Sequence, residues 1–442
     1  MFRSRSVKPS LPDHDVRAGA LAERVRNGLW IIPAVMVAIA GALATALVQL
    51  ERSRPDLPLG FRGGASSAQD LLSTIAASTL AMATLVLSIT IVALQLASQQ
   101  FSPRVMRTFL RDTGTKVALG TFLATTVYSL LVLRQVLPEN DQRDELVPGL
   151  AVSVAFTLAL ASLGAFVYYL DHVAHSIRAV HIMDTVAAET RTAIRDQPVD
   201  DRGLMAGEWP TRLPDIVLTS ERPPGSLIGL DEDDIVRLAA RRGVCIRMLH
   251  PIGDYLPSGM PFAEVWADEG PVTLTTEELA RHVGIGRERT MRQDVAFGIR
   301  QLVDVAEKAL SPAVNDPTTA VQAFDRLHDL LRRLGRHPDP NGVYRDADGT
   351  PRLHVPLVGW VELAQLAFDE IRQYGGGSQQ VQRRLRSAVA DLRTVVVDDS
   401  DRIAALDEQI RLLDLAAVDA FPHPEDRARS GFSEGADRAD GG

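Results

Sequence analysis

Residues 311–319, "SPAVNDPTT", pack two prolines, an Asn-Asp pair and two threonines into nine positions. Loops of this composition can bind phosphate or carry catalytic side chains when a histidine, a cysteine or a second carboxylate stands nearby. The local sequence supplies none of these, and each residue has a plainer reading. Ser311 precedes Pro312 and is pushed out of the α region, which ends a helix. Asp316 fits an N-cap with Pro317 at the first helical position. Asn315 completes the bend. Upstream, a helix is expected over 290–310; Asp294 lies within it, and Arg300, Asp304 and Lys308 stand at i,i+4 spacing. They read as a surface charge ladder, with a buried polar network as the rival reading. Arg287, Arg289 and Arg292 could hold an anion or a lipid headgroup, although such clusters are more often solvated. Gly284 and Gly286 follow a helix, the wrong context for a dinucleotide fingerprint. Cys245 is the only cysteine, which excludes a disulfide framework and a cysteine-rich zinc site. No catalytic residue, cofactor or metal ligand is assigned.

Four apolar stretches approach the roughly 20 residues that a helix needs to cross a bilayer. They are 29–49, 71–96, 117–137 and 146–170. Flanking charge orients them, because short cytoplasmic loops retain Lys and Arg. The first tail carries Arg3, Arg5, Lys8, Arg17, Arg24 and Arg26, and the second-to-third loop Arg104, Arg107, Arg111 and Lys116. The third-to-fourth loop has four acids and one base, so both termini are expected in the cytoplasm. The first 170 residues carry a net charge of +4 and the rest −13. An acidic extramembrane part argues against nucleic acid as partner. The lipid bilayer is the first partner, a homo-oligomer is expected, and a small solute or ion is a candidate ligand.

Span 2 carries a polar stripe. Asp70, Thr74, Ser78, Ala81, Thr84, Ser88, Gln95 and Gln99 recur at helical spacing within one face. Small and hydroxyl residues allow transmembrane helices to pack closely, and they also line hydrated paths. Thr74, Ser78, Thr84, Ser88 and Gln95 are therefore the pathway or packing candidates. Span 3 has a shorter counterpart in Thr121, Thr125, Tyr128 and Gln135. Past span 4, Asp171, His172, His175, Arg178 and His181 lie on a helical continuation with metal-like spacing, although polar residues are common at such an interface.

The expected fold is mostly α: a four-helix transmembrane region followed by a cytoplasmic α+β domain. Its parts are a basic tail (1–28), the four-span region (29–170), the α+β domain (171–420) and a disorder-like tail (421–442). Within the third part, a small β unit occupies about 211–275 and a helical part 276–418, with a polar loop at 335–355. "LDEDDIVRLAARRG" reads as a helix capped by Asp231 and ended by Gly243, and Thr276 is placed to cap another. "GDYLPSG" and "PFAEV" resemble the turn and strand of biotinyl- and lipoyl-carrier domains. No lysine lies between Lys116 and Lys308, so only a barrel-like β fold is implied.

Two stretches, 87–134 and 289–327, together resemble the bacterial predicted membrane proteins of the domain of unknown function 2254 family. The resemblance implies an integral membrane protein and no particular reaction. Residues matching its pattern include Gln95, Ser102, Pro103, Arg104, Asp294, Gly298, Arg300, Asp304, Ser311, Pro312, Asn315, Asp316 and Pro317. The leading expectation is an oligomeric channel or transport-like protein with a gating or sensing domain. A membrane-anchored sensor or scaffold is the alternative, and an enzyme on lipid or envelope precursors is third.

Overall fold

The computed structural model describes residues 30–53, 60–100, 113–137, 147–176, 178–197 and 209–431. The basic tail and Ser102, Pro103 and Arg104 lie outside the described residues, as do the acids at 139–145. The chain divides into two compact units, Ala18–Ile182 and Met183–Gly442 apart from the first seventeen residues. As the spans and the helix periodicity predict, it is mostly helical.

The first unit holds α1 (Ile31–Ser53), α2 (Ala65–Gln100), α3 (Thr113–Leu133) and α4 (Gly149–Ser176). All four are long and apolar enough to cross a membrane. Helix α3 is the centre of the bundle: 56% of its apolar window is buried, against 22–28% for the others. Small residues allow this. A Cβ on Gly120 would meet Met36 Sδ of α1 at 2.5 Å, so the helices cross where the side chain vanishes. At one end, Glu51 accepts bonds from the backbone N–H of Leu150 (2.6 Å) and Ala151 (3.2 Å). An acidic side chain thereby caps the otherwise unpaired first turn of α4.

The second unit begins within α5 (Ala179–Asp196). Strands β1 (Ile216–Thr219), β2 (Gly225–Leu230), β3 (Val244–Met248), β4 (Tyr255–Leu256), β5 (Pro261–Ala267) and β6 (Val283–Gly286) follow, with α6 (Glu232–Arg242) and α7 (Thr276–Ala280) between them. Then come α8 (Val295–Leu310), α9 (Pro317–Leu334), β7 (Val343–Arg345), β8 (Pro351–His354) and α10 (Trp360–Gly375). Helices α11 (Gln379–Arg393), α12 (Ser400–Ala420) and the short α13 (Pro424–Arg429) close the described chain. Strands β7 and β8 lie inside what the sequence reads as a polar loop. They complete a sheet ordered β1-β5-β3-β8-β7, beside a second of β4-β2-β6. Two sheets with edge strands replace the expected barrel-like unit. "VGIG" is itself β6, and α7 is capped by Thr275 rather than Thr276, through a capping box with Glu278.

Alternation builds the sheet core. Val244, Ile246 and Met248 of β3, Ala263 and Val265 of β5 and Leu353 of β8 share one buried cluster with Ile235, Leu238 and Ala239 of α6. The cap expectations at α6 hold: Asp231 accepts from Asp234 N, and Gly243 takes φ +58°. In the helical half, α8 packs on α9 and α10, and Phe324 meets Phe368 edge-on at 5.0 Å.

Candidate functional site

Two sets of hydroxyls in the membrane unit sort by location. At about 100° per residue, the stripe of α2 falls opposite Ala68, Leu72, Ile75, Thr79, Ala83 and Val86, which form its buried seam. Asp70, Thr74, Ser78, Ala81, Thr84, Ser88 and Gln95 are all exposed. The side chain of Gln99 lies outside the described residues. Each stripe hydroxyl donates to its own helix: Thr74 to Asp70 O (2.7 Å), Ser78 to Ile75 O (3.1 Å), Thr84 to Leu80 O (3.0 Å) and Ser88 to Thr84 O (3.0 Å). Their protons are thereby used, and lone pairs remain outward.

The polar residues of span 3 turn inward instead. Thr125 Oγ1 lies 3.0 Å from Ser162 Oγ of α4, and Thr126 Oγ1 lies 2.8 Å from Thr79 Oγ1 of α2. Tyr128 donates to Ala151 O at 3.0 Å, and Gln135 accepts from Arg52 at 2.7 Å. Thr121 only back-bonds to Val117 O. These cross-helix contacts glue the bundle. Thr79 and Ser162, which complete them, carry no sequence signal beyond being hydroxyls.

In the second unit, the motif positions bind one another. Asp294 is the N-cap of α8, accepting from Phe297 N at 2.8 Å, and Arg289 grips it with two bonds of 2.8 and 2.9 Å. Burial pushes the Asp294 carboxyl above its ordinary range, against the pull of Arg289. Gly253, at φ +103°, makes room: a Cβ there would lie 2.5 Å from Asp294 Oδ2. Arg300 donates to Asp304 (2.7 Å), to Glu370 of α10, and more loosely to Glu307 (3.5 Å). Burial works against the Arg300 charge, but the bonds to Glu370 and Asp304 outweigh it and hold its pKa up. The helix-spanning network, rather than a simple surface ladder, is what forms. Burial first, then Glu370, raises the Glu307 carboxyl.

The bend at 311–316 is built as a helix stop and start. Asn315 has φ +50°, the one non-glycine residue with positive φ among the described residues. Asp316 accepts from Thr319 N (3.1 Å) and Thr319 Oγ1 (2.6 Å), which lowers its pKa. Its carboxylate is thus committed to capping. The interface histidines do not converge: His172 stacks on Tyr168, while His175 Nδ1 sits 2.8 Å from Asp171 O. Among the described residues, metal-type donors converge at Asp231, Asp234 and His282, within 4.8 Å of one another. The cap of α6 and the Asp234–Arg237 pair account for both carboxylates.

The comparisons agree with this architecture. The model of the "predicted membrane protein (DUF2254)" family matches residues 26–391. Uncharacterized proteins Mb1321c of Mycobacterium bovis and Rv1290c of Mycobacterium tuberculosis are each 33% identical over 422 residues, covering 93% of this chain and 80% of the relative. No solved structure matches. A family match running from the first span to α11, with relatives aligned over nearly the whole chain, places this protein in the domain of unknown function 2254 family of predicted membrane proteins.

Proposed function

We propose that the protein is a homo-oligomer of the bacterial plasma membrane in which the second spans of several copies face a common axis. Their stripes line a path for small solutes or ions, and the domain after span 4 acts from the cytoplasmic side as gate or sensor. One observation carries this reading: the polar stripe of α2 lies opposite the seam that holds the bundle together. Outward lone pairs gain nothing from lipid, whereas water or a partner helix can donate to them. The loop charges support the orientation. Liposomes containing the purified protein should pass ions or small solutes above empty controls. Ser78→Leu and Thr84→Leu should close that path, and alanine there should change selectivity. No flux under varied ion, voltage and pH conditions would sink the pathway.

A membrane-anchored sensor or scaffold is favoured by the back-bonds. A hydroxyl already satisfied by its own helix is suited to close packing without water. That reading expects assembly to survive alanine at Ser78, Thr84 and Ser88 but not leucine, with no flux in either case. An enzyme at the inner face ranks third, because Asp294 and Asp304 are held by arginines and Asp316 by its cap.

A further inference from the structure

The face of the larger sheet turned away from its core carries a different set of residues. Register pairs Cys245 with Trp266 and Arg247 with Glu264 across β3 and β5, and Arg247 with His354 across β3 and β8. Residues Trp209–Pro214 cross this face. They are pinned by Trp266 Nε1 donating to Arg212 O (2.9 Å) and by Arg212 donating to Ala267 O (2.8 Å). Between them opens a cleft of about 470 Å³, lined in part by Trp209, Leu213, Arg247, Glu264 and Trp266. Its size lies within the range of small-molecule sites, about 300–1,000 Å³.

Arg247 is the unusual group. Its guanidinium carbon lies 5.6 Å from the Trp209 ring centre and 5.2 Å from that of Trp266, within cation–π reach of both. Glu264 Oε2 stands 3.7 Å from Arg247 Nη1, a loose ion pair whose length leaves it without a hydrogen bond. Among the described residues neither side chain, Arg247 or Glu264, makes a hydrogen bond; they share only that ion pair. Arg247 Nε and Trp209 Nε1 are buried without an acceptor among the described residues, and Trp209 is only 7% exposed. Buried donors are ordinarily paired, so two orphans beside one cleft need an account. Burial and Arg247 hold His354 below the ordinary histidine range, so it does not add charge.

A simple anion would meet Arg247 but be repelled by Glu264, and a simple cation the reverse. A molecule carrying both charges a few ångströms apart satisfies both, and its carbon body would lie on tryptophan. We propose that this cleft binds a small zwitterion of the amino-acid or betaine class, its oxyanion on Arg247 and its ammonium on Glu264 against the Trp266 ring. The inference rests on the cleft alone, so a failed flux assay leaves it standing.

The test is calorimetric and fluorescence titration of the full chain in a non-ionic maltoside. Glycine and glycine betaine are the zwitterionic probes, and acetate and tetramethylammonium the half-charged ones. At least one zwitterion should saturate, with both half-probes weaker by about ten-fold or more, roughly one charged contact. Glu264→Gln and Arg247→Gln should each weaken the zwitterion by a similar factor. Glu264→Gln breaks no hydrogen bond, and an unchanged melting transition would show it folded. Acetate binding as tightly as the zwitterions would make this an anion site and overturn the proposal. So would no saturation by either zwitterion, or variants that bind as the parent does.

Discussion

Gly298 offers the sharpest check on how the second unit is packed. A Cβ built there would lie 2.0 Å from Thr190 Oγ1, 2.8 Å from its Cγ2 and 2.9 Å from its Cβ. Ordinary carbon contacts sit at about 3.5–4.0 Å. Thr190 is fully buried on α5 and its hydroxyl is tied to Val186 O at 2.7 Å, so it cannot swing aside without losing that bond. Gly298→Ala therefore forces α5 and α8 apart, at about 3 kcal/mol, the upper end of overpacking costs. Alanine recovers about 1 kcal/mol as the better helix former. The net loss is about 2 kcal/mol, or a melting temperature lower by about 4–8 °C for a unit of this size. Tryptophan fluorescence of the full chain in maltoside reads it. Thr190→Ala removes the two side-chain atoms beyond Cβ, and the double variant should recover part of the loss, since Thr190 Cβ still lies 2.9 Å from the added methyl. Gly298→Ala melting at or above the parent would mean that propensity wins and that the helices do not touch there. Failure of Thr190→Ala to rescue would locate the strain elsewhere.

Arg300→Gln leaves Asp304, Glu307 and Glu370 without their shared cation and should cost about 2 kcal/mol, a partly exposed version of breaking a buried pair. Chemical denaturation at several pH values should show that cost shrinking as the pH falls toward 4.5, the ordinary glutamate value, because protonation removes the repulsion. In the parent, Glu307 has its folded pKa raised, so its contribution is present at and below 4.5 and is lost as the pH rises through the raised value. Asp316→Ala should cost about 1 kcal/mol at neutral pH as a lost cap. The Asp316 pKa is lowered in the fold, so its contribution is present above 3.8 and disappears as the pH falls through the folded value, which acid denaturation of parent and variant would show. Asn315→Ala should cost about 1 kcal/mol for a left-handed alanine, while Asn315→Gly should melt with the parent. Thr79→Val should lower bundle stability by about 0.6 kcal/mol without changing oligomer size in light scattering, whereas Ser78→Leu should leave bundle stability unchanged and abolish flux.

Local signals carried the helices of the second unit. Asp231 with Gly243, and Ser311–Pro312 with Asp316–Pro317, mark boundaries that depend on a few adjacent residues, and the structure places those caps as read. Strands β7 and β8 escaped because they are three and four residues long and belong to a sheet whose other members lie far away in sequence. The Asp348–Gly349 turn between "VYR" and "PRLHV" was the available hairpin signal. The Trp209–Arg247–Trp266 cleft was not legible for a related reason. Alternation says that Arg247 and Glu264 oppose the core, but only register sets them side by side. The interior contacts of Thr79 and Ser162 likewise depend on which helix faces which.

Helical spacing could show that Ser78, Thr84 and Ser88 share a face, but not what that face meets. Ser78 and Thr79 make the point as neighbours. Thr79 is 2% exposed and reaches Thr126 across the bundle, whereas Ser78 is exposed and bonds only its own turn. If the stripe merely tolerated lipid, larger apolar residues would cover that face equally well and lose nothing. Hydroxyl and small residues at Thr74, Ser78, Ala81, Thr84 and Ser88 are the costlier choice there unless a second helix or water comes close. Within one helix, Thr79 and its partners thus hold the bundle, while the stripe residues are turned away from it.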